Sequence, residues 1–223
     1  MSAVVLQDGV RIPDGIDSLE AFRQWARSDE FPERGRFAYL HGEIWVDLSM
    51  EQAFTHNQVK VEVSDVVRPF VKTEKRGYYF TDGMLLTLPD LNFATVPDGM
   101  FISFGAVRAG RIRLEAGTAG GCVEVIGAPE MALEVVSDHS VQKDTEELLV
   151  VYWQAGVLEY WLVDARSPNI SFDIFNRGRR GFTAGRRQAG GWLRSTVFGQ
   201  AFRIVTRPDS LGNPECTLEM RPL

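Results

Sequence analysis

The sequence predicts a mixed α/β fold of the α+β kind, a mixed central β-sheet flanked by helices, and three observations predict it. Short β-branched and aromatic runs closed by Gly, Pro or Asp recur between Phe37 and Phe175. Two segments, near 55–71 and 144–154, carry their apolar residues at helical spacing instead. The run Met131 to Val136 is apolar throughout except for Glu134, the pattern of a strand buried inside a sheet.

Ser18 is placed to cap a helix from Leu19 to about Arg27, because Leu19, Phe22, Trp25 and Ala26 make one apolar stripe, and Pro32 marks its exit. Phe37 to Tyr39 and Glu43 to Val46 flank the turn-like pair His41-Gly42 and read as a hairpin. From Thr55 to Val71, the residues Val59, Val63, Val66, Val67 and Phe70 share a face opposed mostly by Lys60, Glu62, Asp65 and Arg68, an amphipathic helix with Pro69 near its end as a kink or stop. Tyr78 to Phe80, Met84 to Leu88 and Gly99 to Phe104 are strands separated by Asp82-Gly83 and Pro89-Asp90. Arg111 to Leu114 and Cys122 to Val125 surround a glycine cluster and read as an inserted hairpin before the core strand Met131 to Val136. Asp144 is placed to cap a helix through Gln154 that stops at Gly156, and Tyr160 to Val163 and Ser171 to Phe175 follow as neighbouring strands. The chain therefore divides into an N-terminal helical extension (1–35), a core (36–176) and an arginine-rich β extension packed on that core (177–223).

With 223 residues, 44% hydrophobic and 24% charged, the chain can bury one core and is neither fibrous nor of low complexity. No apolar run approaches the roughly 20 residues that cross a bilayer, and no basic segment leads into an apolar one at the start, so a cytoplasmic location with no membrane partner is expected. Cys122 and Cys216 lie far apart and lack metal-ligand spacing, so neither a zinc site nor a disulfide framework is indicated. A net charge of −6 argues against a uniformly basic surface for nucleic acid. Between Arg166 and Arg207, however, nine arginines are opposed only by Asp173. That stretch is either a grip for phosphate oxygens or the solvated face of a sheet.

Glu134 carries the most information. A carboxylate inside Ala-Leu-Glu-Val-Val is expected to be buried, and burial requires a metal, a cation or a hydrogen-bonding network. Asp98, after Pro97 at the head of the next strand upstream, can project across a sheet end. Two such carboxylates repel unless a divalent cation lies between them; the alternative is that Asp98 caps a turn and Glu134 pairs with an arginine.

The succession Gly42-Glu43, His56, Pro97-Asp98, Pro129 to Ser137 with Glu134 inside it, Asp144, Tyr152, and Ala155-Gly-Val-Leu-Glu-Tyr-Trp-Leu-Val-Asp164 resembles the Uma-two family, described as restriction endonucleases of the PD-(D/E)XK superfamily. The likeness spans about Phe37 to Phe175, and its last stretch is the distinctive one. It implies a restriction-endonuclease-like core with Asp98 and Glu134 on adjacent strands as Mg²⁺ ligands (Mn²⁺ as substitute), and the Val135 carbonyl as a third. Glu43 would complete the metal shell, and His56 would contact phosphate or transfer a proton; the other reading of His56 is a local hydrogen bond at a helix start. It further implies DNA as substrate or ligand and a homodimer. Two departures stand out. The superfamily lysine two residues after the acid is Val136, and the family's substitute four residues after Asp144 is Leu148. Lys143 or Lys60 would have to supply the cation. Failing that, the fold would serve as a nucleic-acid-binding or protein-interaction dimer without turnover. Glu159 and Asp164 read as turn or cap hydrogen bonders, and Trp153, Tyr160 and Trp161 as packing.

Overall fold

The structure is a computed structural model that describes residues 3–5, 10–167 and 169–223. Within the expected helical extension, residues 1, 2 and 6–9 lie outside the described residues. In chain order the strands are β1 (Ala3–Val5), β2 (Arg11–Pro13), β3 (Arg36–Leu40), β4 (Glu43–Asp47), β5 (Gly77–Thr81), β6 (Leu85–Leu88), β7 (Phe93–Thr95), β8 (Gly99–Ser103), β9 (Arg113–Ala116), β10 (Cys122–Ile126), β11 (Met131–Val135), β12 (Glu159–Asp164), β13 (Ser171–Arg177), β14 (Phe182–Ala184), β15 (Leu193–Ser195), β16 (Gln200–Pro208) and β17 (Pro214–Pro222). The α-helices are α1 (Leu19–Ala26), α2 (Gln58–Thr73), α3 (Phe104–Arg108) and α4 (Leu148–Ala155). None is long and apolar enough to cross a membrane, among the described residues. The chain forms two compact units, each assembled from separate stretches of sequence.

The first unit comprises 1–50, 83–96 and 113–127. Its six-stranded sheet runs β4-β3-β7-β6-β10-β9, beside the two-stranded pair β1-β2. Ser18 caps α1 as expected, its hydroxyl accepting from the Ala21 amide at 3.3 Å. Leu19, Phe22 and Trp25 then bury against Phe37 and Tyr39, with Phe22, Trp25, Phe31 and Phe37 meeting edge to face. The β9–β10 hairpin is present, but it is integral to this sheet rather than an insertion, since β10 also runs parallel to β6. Glu124 on β10 is completely buried because Arg23 Nε and the Thr87 hydroxyl each donate to it at 2.6 Å.

The second unit comprises 51–82, 97–112 and 128–223. Its six-stranded sheet is mixed, in the order β14-β13-β12-β11-β8-β5, with β11 parallel to β12 and the remaining pairs antiparallel. The parallel pair requires a crossover, and α4 provides it. Alternation along the strands separates two faces. Leu133, Trp161, Phe172 and Ile174 join the α2 stripe Val59, Val63, Val67 and Val71 and the β15-β16-β17 sheet in one core. Tyr160 and Phe175 point the other way, where Tyr152 of α4 and Phe182 meet the Tyr160 ring. At Gly156 a φ of 101° ends α4 in the left-handed region, where a side chain would be strained.

Helices α2 and α4 begin later than the apolar periodicity suggests. A π turn over Ala53–Asn57 precedes α2, and another over Lys143–Glu147 precedes α4. Asp144 is therefore not the cap of α4 but a buried member of its π turn. Pro69 does not stop α2, which runs on to Thr73, because this proline lies on the exposed side where the carbonyl it leaves without a helical partner faces water. The strand expected from Gly99 to Phe104 ends at Ser103, whose hydroxyl caps α3 by accepting from Ala106 N at 3.0 Å.

Candidate active site

The site forms at one end of the second unit's sheet. β8 and β11 pair as Met131↔Phe101, Ala132↔Met100 and Leu133↔Gly99, so one further step sets Asp98 opposite Glu134. A side chain at position 99 would not fit, since its Cβ would lie 2.5 Å from the Tyr79 hydroxyl. Asp98 and Glu134 are 4% and 3% exposed. Asp98 Oδ2 accepts from the Val135 amide at 2.7 Å, which ties the head of β8 to the end of β11 and fixes that carboxylate.

Two helices on opposite faces of the sheet bring their first turns to this point. The π turn before α2 buries His56, with Nε2 3.6 Å from Asp98 Oδ2 and Nδ1 3.6 Å from Glu51 Oε1. Four residues on, the same helix face carries Lys60. Its ammonium is bonded to Glu51, lies 2.6 Å from Asp82 Oδ2 and is 3.7 Å from Asp98 Oδ1. From the other face, Lys143 Nζ stands 2.7 Å from Asp144 Oδ1 and 3.8 Å from Glu134 Oε2. The Tyr152 hydroxyl donates to Glu134 Oε1 at 2.7 Å, and that of Tyr160 to the Asp144 carbonyl at 2.8 Å. Ser140 donates to the second Asp144 oxygen.

Acid groups outnumber the ammonium groups here. Among the described residues, the carboxyl groups of Glu51, Asp82, Asp98, Glu134 and Asp144 surround the two ammonium groups of Lys60 and Lys143. Burial pushes Glu134 up to about 8; Lys143 pulls it back and Asp144 and Asp98 push it further. Burial likewise raises Asp98, against the opposing pull of Lys60. For Lys60 and Lys143 burial acts downward, but the carboxylates outweigh it and hold both ammonium groups above the ordinary lysine value.

Asp98, Glu134, the Val135 backbone, His56 and Lys143 thus come together, all within the second unit. Glu43 belongs to the first unit, at the exposed start of β4. Sequence reasoning placed Lys60 on the polar side of α2 and named it as a candidate cation, and it is 4% exposed; the same reasoning took Asp82 only as a turn residue and passed over Glu51. The four-residue spacing of His56 and Lys60 was the available signal. Among the described residues, no three His, Cys, Asp or Glu side chains are grouped to hold a metal. Mg²⁺ does not require such a group, because it keeps several waters and is commonly held by one or two carboxylates. Two buried oxygen-donor acids among an excess of acid groups fit that ion by donor type, and an ion bound there would displace the proton that burial favours on Glu134.

Two further expectations resolve elsewhere. Glu159 is no turn residue: it is fully buried and accepts from Ser195 Oγ (2.6 Å), Thr196 N (2.5 Å), Thr196 Oγ1 (2.9 Å), Val197 N (3.0 Å) and Trp161 Nε1 (3.0 Å), fastening the C-terminal segment to β12. Asp164 does hold a local turn, accepting from the Arg166 amide at 3.1 Å. In the C-terminal segment, Arg186, Arg187 and Arg194 line a groove of about 890 Å³ with Asn176 and Thr196. Asn176 shares the strand face of Phe172 and Ile174, whereas Glu134 points to the face covered by α4, so the groove and Glu134 belong to opposite faces.

A family profile, Uma2, described as "Putative restriction endonuclease", matches residues 19–215. The crystal structure of a putative nuclease belonging to DUF820 from Anabaena variabilis superposes with a TM-score of 0.60 at 19% identity, over 81% of this chain and 90% of that one. At that identity the likeness shows a shared fold. No curated protein matches the chain.

Proposed function

The chain belongs to the Uma2 family of putative restriction endonucleases, and we propose that its buried carboxylate pair supports metal-dependent hydrolysis of DNA phosphodiester bonds. The observation that carries this reading is the convergence of Asp98, Glu134 and Lys143 at one sheet end, as in the PD-(D/E)XK arrangement. Asp98 and Glu134 would hold Mg²⁺ or Mn²⁺, with the Val135 carbonyl as a further oxygen donor. When bound, the ion supplies a water of lowered pKa and charge stabilisation at the leaving oxygen.

The rest of the chemistry falls to the chain. The Val135 amide and the Tyr152 hydroxyl orient the two carboxylates, so little reorganisation accompanies the reaction. Lys143 takes the role of the lysine absent at Val136: its ammonium beside Glu134 directs the attacking water and offsets charge growing on the phosphoryl oxygens. Leu148, the other position where a lysine was expected, is fully buried core and takes no part. His56, 3.6 Å from Asp98, is positioned to deliver a proton to the leaving oxygen. A homodimer would present two such sites, one for each strand of a duplex.

Nicking of supercoiled plasmid tests the reading. Wild type should nick with Mg²⁺ or Mn²⁺, and Asp98→Asn and Glu134→Gln should each abolish nicking. Salt-sensitive DNA binding with no nicking under any metal would instead favour a binding protein built on this fold.

A further inference from the structure

Three carboxylates, delivered by three separate segments, converge on the Lys60 ammonium. Glu51 comes from the segment ahead of the π turn, Asp82 from the turn after β5 and Asp98 from the head of β8. Glu51 and Asp82 have no part in the reaction proposed above. Like charges from distant stretches of chain converge where a cation or a shared proton offsets their repulsion, and here a cation stands among them, covalently attached.

Geometry relates this point to the metal. In two-ion hydrolytic centres the ions lie about 3.5–4 Å apart and share a carboxylate. Asp98 is placed to be that shared group: its Oδ2 faces the Val135 amide at 2.7 Å, on the Glu134 side, and its Oδ1 faces Lys60 Nζ at 3.7 Å. With the ammonium in place the three do not form a metal-binding group; once it is removed and Asp98 closes in, oxygen donors from Glu51, Asp82 and Asp98 would suit a second Mg²⁺, and the half-exposed Asp82 would leave it access to water.

We infer that Lys60 is a built-in second cation, its ammonium occupying the point between Glu51, Asp82 and Asp98 where a second divalent ion would otherwise bind, so that the centre takes one exchangeable ion. This deepens the nuclease reading and rests on it for the ion at Asp98 and Glu134. Removing the ammonium should then open a second Mg²⁺ or Mn²⁺ site. A lysine in this place also has a chemical consequence: a fixed charge cannot generate a bound hydroxide, so nucleophile activation must fall to the single exchangeable ion.

The test is a count of Mn²⁺ bound per chain, read from the loss of the free-ion electron paramagnetic resonance signal. Wild type and Lys60→Arg, which keeps the charge, should each bind one ion, and Lys60→Met two, with spin coupling between them. Glu134→Gln in the wild-type background should lose its ion. One ion in Lys60→Met, or two in wild type, overturns the inference and leaves the nuclease reading standing. No uptake by wild type defeats that reading; one ion in Lys60→Met would then still uphold the ammonium's place, and none would defeat both. If Lys60→Met folds only with metal, adding Glu51→Gln and Asp82→Asn relieves the repulsion, and that triple variant must return to one ion.

Discussion

Glu134→Gln separates the electrostatic argument from the catalytic one, because it can be measured without substrate. The amide keeps the shape of the carboxyl and can still accept from Tyr152, so the variant approximates protonated Glu134 at every pH. In the native protein this carboxyl is raised from 4.5 to about 8 by burial. The folded state therefore holds its proton more tightly than the unfolded state, and native stability falls as pH rises through that window and levels off above it. At about 1.4 kcal/mol per pH unit, the full effect is about 5 kcal/mol, and about 2–3 kcal/mol once local relaxation and water penetration are allowed for. Urea unfolding in EDTA should show the two proteins nearly equal at pH 4, the variant more stable by about 1–2 kcal/mol at pH 6, and the difference at its maximum by pH 9. Adding Mg²⁺ should then raise wild type alone, by about 2.7 kcal/mol at a hundredfold excess over Kd. A difference that does not change with pH, or a variant less stable than wild type at pH 9, would refute the claim that Glu134 is ionised at a cost.

Two further outcomes follow from the same geometry. Lys143→Met should lower the nicking rate by roughly a hundred- to a thousandfold, the scale of losing one charge-stabilising donor, while Mn²⁺ still binds; a loss of Mn²⁺ uptake equal to that of Asp98→Asn would show that Lys143 shapes the metal site instead. Glu159→Gln places an amide donor against five donors and should cost about 2–4 kcal/mol in urea unfolding with Mn²⁺ uptake unchanged, since β12 carries this residue about 10 Å from the level of Glu134; a variant of wild-type stability would mean that the C-terminal segment is held by its apolar contacts alone.

How legible these features were depended on the range of the forces that make them. The cap of α1 at Ser18 and the end of α4 at Gly156 are local, and the sequence states them within a residue or two. The Asp98–Glu134 pair was legible because a carboxylate in an apolar strand must be answered by something, and each acid stands next to strand residues whose pairing sets them opposite. Lys60 was legible only in part: its place one turn after His56 made it a candidate cation, but a lysine beside a valine stripe has the same signature whether it faces water or a buried carboxylate. Lys143 lies in the polar run Gln-Lys-Asp-Thr-Glu-Glu, which reads as an exposed helix start; only the pairing of β11 with β12 makes that start the floor of a site. Glu159 failed for a related reason, since its five donors come largely from residues 195–197, far along the chain.

Both lysines stand where helix electrostatics disfavours them. A helix N-terminus carries partial positive charge, and a cation near it is unfavourable by roughly 0.3–1 kcal/mol, whereas Asp144, Glu146 and Glu147 in the turn before α4 conform to the rule. Lys60, one turn into α2, and Lys143, in the π turn ahead of α4, break it. Side chains on a helix tilt toward its N-terminus, so a lysine near the start is the one whose stem reaches beyond the first turn to the sheet end. A lysine deeper in either helix would satisfy the dipole and miss the carboxylates. Wide π turns are uncommon and frequent at functional sites, and here each lies at the first turn of a helix that delivers an ammonium. Two helices on opposite faces accepting the same local disadvantage point to one selected quantity, the positive charge at the end of β8 and β11, rather than to the stability of either helix.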